Sequence, residues 1–171
     1  MESIFFKTYI FQENIRKNFK IKIPLFSSTL HLDWIYLDSD KEIEHILVKR
    51  RGRFMIFKYF LIVKNHSLDG ESRKIEDTIT HVQYLSYKQN SITHVVKKRK
   101  KFSYSKDGKT FEITYDRYQN NLAPLSVITV NSQKEEDLRF FNINHLVSSL
   151  AEESQLSGLE LVYHVIKKRS L

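Results

Sequence analysis

Apolar and polar positions alternate with a period of two along much of the chain, the pattern of strands with one buried face. The clearest stretch is residues 95–118, VVKKRKKFSYSKDGKTFEITYDRY. Asp107-Gly108 is a two-residue hairpin signal. Closing the turn there pairs Lys106 with Lys109, Tyr104 with Phe111, Phe102 with Ile113, Lys101 with Thr114 and Arg99 with Asp116. One face then holds Phe102, Tyr104, Phe111, Ile113 and Tyr115. The other holds Lys97, Arg99, Lys101, Ser103, Glu112, Thr114 and Asp116.

The same reasoning assigns a second hairpin to residues 43–64, IEHILVKRRGRFMIFKYFLIVK, with Arg51-Gly52-Arg53 at its turn. Its second strand is apolar on both faces and belongs inside the sheet. Residues 19–25 (FKIKIPL) alternate and read as a strand stopped by Pro24. Residues 30–37 and 125–130 are further strands, while 4–17 fit either strand or helix. Ile79, Val82 and Leu85 fall at helical spacing, which predicts a helix from about Thr78 to Gln89. Residues 142–151 read as helical, and Ser157 is placed to cap a last helix over 158–168. There is no internal repeat. The pattern is one antiparallel α+β domain over residues 1–171.

Composition narrows the chemistry. The chain has 171 residues, 41% of them hydrophobic, enough for a real core. With 4 Gly and 2 Pro there is neither a flexible linker nor a glycine-rich phosphate loop. The absence of cysteine excludes disulfides, thiolate zinc sites and a cysteine nucleophile. No apolar run approaches a membrane span. The first residues carry Glu2 and Glu13 and match neither a secretory nor a transit signal, which places the protein in the cytoplasm. The net charge of +8 points to an anionic partner.

The phosphate-binding candidates are the clustered cations. Lys49, Arg50, Arg51, Arg53 and Lys58 belong to the first hairpin, and Lys97, Lys98, Arg99, Lys100 and Lys101 to the second. Lys49 and Arg51 with Lys58 and Lys64 would make a row matching that of Lys97, Arg99 and Lys101. The seven histidines are dispersed, with no H-x-x-x-H pair, so no metal site and no cofactor is expected. Ser148 and Ser149 lack a nucleophile context. Trp34 is best read as core, and EEDLRF and AEES as solvated acidic faces.

Residues 73–116 (RKIEDTITHVQYLSYKQNSITHVVKKRKKFSYSKDGKTFEITYD) followed by LSVITV resemble the second half of a CYTH-like, or triphosphate-tunnel, domain. The branch most similar is that of the eukaryotic TRPL translocation defect-like proteins, and the likeness covers residues 49–158. It implies an antiparallel tunnel lined by Lys and Arg that hold phosphates, with Glu residues holding a divalent metal. The family's enzymes open with an E-x-E-x-K strand. The candidate here, residues 19–25, carries lysines in place of the carboxylates, and residues 126–131 lack the late acidic pair.

Two functions follow. In the first, the chain is not an enzyme but a basic RNA-binding factor, its partners ribosomal RNA and ribosomal proteins, with no DNA and no membrane involved. A composition rich in Lys, Asn, Ile, Phe and Tyr is similar to that of compact AT-rich genomes. In that setting the chain resembles the microsporidian dormancy factors that occupy idle ribosomes at the tRNA exit site. In the second, it is a tunnel module for a nucleoside triphosphate, polyphosphate or phosphoinositide headgroup, with or without hydrolysis.

Overall fold

A computed structural model describes residues 5–35, 43–51, 56–66 and 72–154. Its elements are nine strands and two short helices: β1 (Phe5–Phe11), β2 (Ser28–Ile35), β3 (Ile43–Arg51), β4 (Phe57–His66), β5 (Ser72–Ile79), α1 (His81–Lys88), β6 (Ser91–Lys106), β7 (Lys109–Tyr118), β8 (Ser126–Ser132), α2 (Glu135–Arg139) and β9 (Glu152–Ser154). The expected helix over 158–168, Arg53, and the basic end of the chain lie outside the described residues.

The chain divides into two compact units. Unit 1 takes Met1–Ser27 and Lys98–Leu171, and unit 2 takes Ser28–Lys97. In unit 1 the strand order is β6-β7-β8-β1-β9. Tyr9, Phe11, Phe111, Ile113, Tyr115, Ile128 and Val130 alternate along three of these strands. They form one apolar face, packed by Ile15, Leu138, Phe141, Leu146 and Val147 from the flanking turns and α2. Each such side chain, fully buried, contributes about 1.5–3 kcal/mol. The β6–β7 turn has Asp107 at φ 52° and Gly108 at φ 73°, both in the left-handed region that a type I′ turn requires.

In unit 2 the order is β5-β4-β3-β2-β6, and β4 is an interior strand as expected. Ile35, Leu47, Tyr59, Leu61 and Ile79 form the face covered by α1. Thr80 caps that helix in a capping box with Gln83: the Gln83 N–H donates to Thr80 Oγ1 at 3.2 Å, and the Thr80 N–H donates to Gln83 Oε1 at 2.9 Å. The helix rests on Tyr84, while Val82 is 77% exposed and Leu85 50% exposed. The apolar spacing therefore identified the helix, and the residues it buries are the tyrosines, which cover the sheet.

Residues 19–25 are not a strand. Phe19 makes one isolated bridge to Val147. The Lys20 N–H donates to the Leu146 carbonyl at 2.8 Å, and Lys20 Nζ to the Asn144 carbonyl at 2.8 Å. Phe19 packs edge-on to Tyr115 at 5.0 Å, with Ile21 and Ile23 beside it. The alternating apolar residues are satisfied by crossing the core face as a strap, so no ladder forms. Residues 142–151 hold only a 3-10 turn at Ile143–His145, and the acidic EEDLR forms α2.

Candidate phosphate-binding faces

The predicted register of the β6–β7 hairpin is present. Ser105 and Thr110 hydroxyls are 3.0 Å apart, the Ser103 hydroxyl donates to Glu112, and Arg99 donates to Asp116 through Nε at 2.7 Å and through a terminal nitrogen at 2.6 Å. β8 and β1 extend the polar face. Thr114 is in register with Thr129 and Thr129 with Thr8; Glu112 is in register with Asn131. A row of hydroxyls thus continues from the position opposite Lys101. Thr8 and Thr129 were not singled out from the sequence. The signal was the alternation of Val127, Thr129 and Asn131 within SVITVNS.

The cations of this hairpin have separate fates. Arg99, its side chain 27% exposed, forks onto Asp116, which is 5% exposed. Burial works against the guanidinium charge, but the Asp116 carboxylate outweighs it and holds the group above its ordinary value. Lys100 lies at the phase of the apolar face, and Nζ donates to the carbonyls of Pro24 and of Leu25, the latter at 3.0 Å. Burial, then Arg16 and Arg117, lower its pKa. Lys100 is therefore corrected from anion ligand to a tether of the strap. Lys98 is half-buried at that same phase, and Lys97 is buried at the phase of Arg99. Lys101 is exposed on the polar face.

In unit 2, Arg50 stands directly opposite Lys58, and Lys49 opposite Tyr59. Lys49 and Arg51 therefore share the face that bears α1, with their cations near the Phe57 ring at 4.2 Å and 5.9 Å. The single row of Lys49, Arg51 and Lys58 expected from the sequence is corrected accordingly. Arg50 and Lys58 share the other face, where Arg50 lies 5.0 Å from the Phe60 ring centre. Like charges directly opposite repel, and among the described residues neither is in an ion pair. That is an arrangement an anion stabilises.

Among the described residues, carboxylates do not converge in the way magnesium requires. Asp116 is committed to Arg99, and Glu112 lies four residues along the strand, about 13 Å away at strand rise. Among the described residues no three acidic or histidine groups gather as a metal site. The described residues thus do not fit the metal centre that the resemblance implies.

No protein-family model and no curated protein matches the chain. Two crystal structures of the protein NE1496 do. One, described as an inorganic triphosphatase, is 18% identical with a TM-score of 0.55, covering 90% of this chain and 87% of that one. The other, described as a hypothetical protein, is 18% identical with a TM-score of 0.52, covering 82% and 83%. What is shared at this identity is the fold, and it is the α+β, CYTH-like tunnel fold anticipated from the sequence. The TRPL-like and microsporidian relationships are not shown. The expectation that the chain is no enzyme is overturned, because its fold is that of a protein described as a triphosphatase. The missing carboxylates of residues 19–25 carried that expectation, and those residues form no strand of the sheet, although β1 (FFKTYIF) carries no carboxylate either.

Proposed function

We propose that the chain binds a linear triphosphate group, as inorganic tripolyphosphate or at the end of a nucleotide, and hydrolyses one of its phosphoanhydride bonds. The observation that carries this reading is the unpaired opposition of Arg50 and Lys58 on a fold shared with an inorganic triphosphatase. Arginine offers a planar fork to two phosphate oxygens, and lysine a point charge beside it. In unit 1, considered by itself, Lys101 stands beside a row of hydroxyls from Thr114, Thr129 and Thr8. The ribosome-associated reading draws no support from the comparisons.

Calorimetric titration with tripolyphosphate, together with release of orthophosphate, tests the proposal. A saturable, one-to-one binding isotherm and phosphate release above the buffer rate are expected. Absence of both overturns it. Salt dependence separates a compact ligand from a polymer: RNA spread over many cations gives a steep fall of affinity with salt, and one triphosphate a shallow one.

A further inference from the structure

Unit 2 carries a second collection of ionisable groups on the side of its sheet that bears α1, away from Arg50 and Lys58. At its centre is Asp33 on β2, which is fully buried. The Tyr84 hydroxyl donates to Asp33 Oδ2 at 2.7 Å, and His94 Nδ1 lies 2.7 Å from Oδ1. Lys88 Nζ is 3.7 Å from Oδ1. The His31 ring stacks on that of His94, with centroids 5.8 Å apart and planes at 27°. Lys49 stands opposite His31 in register. The other titratable or charged groups described on this face are His45 and Arg51 on β3, Tyr59 on β4, Asp77 on β5, and His81 and Tyr87 of α1.

Asp33 accounts for Tyr84 and for one nitrogen of His94. As an acceptor it fixes the proton of His94 on Nδ1, so Nε2 of a ring that is 41% exposed is left as the basic position. The charges do not balance. Lys49 and Lys88 against Asp33 leave one positive charge, and a proton on His31 would add to it. Burial, then His94 and Lys49, hold His31 below its ordinary pKa. Repulsion among these cations is what an oxyanion would relieve.

We infer that His31, His94, Lys49 and Lys88 form a second oxyanion site, distinct from the triphosphate-binding faces, that takes a small tetrahedral dianion of the sulfate or phosphate type as its imidazoles gain protons. On protonation, His94 donates through Nε2 to the anion while Nδ1 stays on Asp33. His31, charged only with the anion beside it, donates alongside the Lys49 ammonium. Anion binding and proton uptake are therefore linked.

The test uses the full chain with nitrogen-15-labelled histidine, observed by nuclear magnetic resonance during titration with sulfate, whose charge is constant over the range. Chloride is exchanged out to hold ionic strength. The imidazole signals of His31 and His94 should shift saturably, with binding roughly tenfold or more tighter near pH 5.5 than near pH 7.5. Lys49→Gln, checked for folding by circular dichroism, should weaken binding about tenfold. The wild-type pH comparison decides by itself if that variant does not fold. Imidazole signals that ignore sulfate at the lower pH, equal affinity at the two pH values, or an unaltered response in folded Lys49→Gln would each overturn the inference. Because the readout is local to two rings, binding of sulfate elsewhere does not register.

Discussion

The β6–β7 hairpin of unit 1 and the β3–β4 hairpin of unit 2 look alike as sequence: VVKKRKKF against LVKRRGRF. Their cations are used differently. In the first, Arg99 is closed onto Asp116 and Lys100 onto the carbonyls of Pro24 and Leu25, so both hold the fold together. In the second, Arg50 and Lys58 face one another, with the Phe60 ring against Arg50 and, among the described residues, no acid paired with either. A run of basic residues is therefore not itself a ligand site. What decides is whether the neighbouring strand or strap supplies an acceptor of its own.

The largest expected effect breaks the closed side of that contrast. Arg99→Met leaves a nearly buried Asp116 without its fork and should cost about 3–5 kcal/mol, read as a lowered urea midpoint. A variant with the wild-type midpoint but no affinity for triphosphate would move Arg99 from scaffold to ligand. Next in size, Arg50→Gln with Lys58→Gln should weaken tripolyphosphate binding by roughly 10- to 100-fold in calorimetry, the loss expected for charge-assisted contacts. Its melting temperature should hold or rise, since a like-charge pair is removed. Affinity equal to wild type would return this hairpin to the same class as the other.

Smaller still, Gly108→Ala places a Cβ in open space but at φ 73°, so only backbone strain is added. It should cost about 1 kcal/mol by chemical denaturation and leave triphosphate affinity unaltered. A change in affinity would make the hairpin part of the site. The smallest effect concerns pH. The His31 pKa is lowered in the fold by burial and then by His94 and Lys49. Its contribution to stability is thus full above the unfolded value near 6.5 and is lost as pH falls through the lower folded value. His31→Gln should flatten that part of the stability profile, and an unchanged profile would remove His31 from the cluster's electrostatics.

Local chemistry made part of this structure readable in advance. Asp107-Gly108 set the register of a whole hairpin and brought Arg99 to Asp116, because two residues admit only one closure. The β3–β4 hairpin shows the opposite case. Its paired residues run from Arg51 and Phe57 outward, so Arg50, not Lys49 or Arg51, faces Lys58. A one-residue shift in phase exchanged the faces, and nothing local specifies the phase across a five-residue connection. Residues 19–25 alternate as a strand would. Their partners, Leu146 and Val147, lie more than a hundred residues away, and side-chain packing there outweighed ladder formation. The Asp33 cluster was invisible for a similar reason: its members come from β2, β3, α1 and β6, and only the register of those strands collects them.

The buried carboxylate of Asp33 also bears on how the molecule opens. An eight-residue helix is far below the length that sustains itself in water, and α1 presents Val82 and Leu85 to solvent instead of to a core. It holds through its cap, through the packing of Tyr84 and Tyr87, and through the contacts of the Tyr84 hydroxyl and the Lys88 ammonium with Asp33. Such a segment detaches as a unit well before the sheet does. Its amide protons should exchange together, faster than those of β3 and β7, and faster again once Tyr84→Phe withdraws the hydroxyl from Asp33. Departure of the helix would uncover Asp33 to water while the strands beneath it stayed paired.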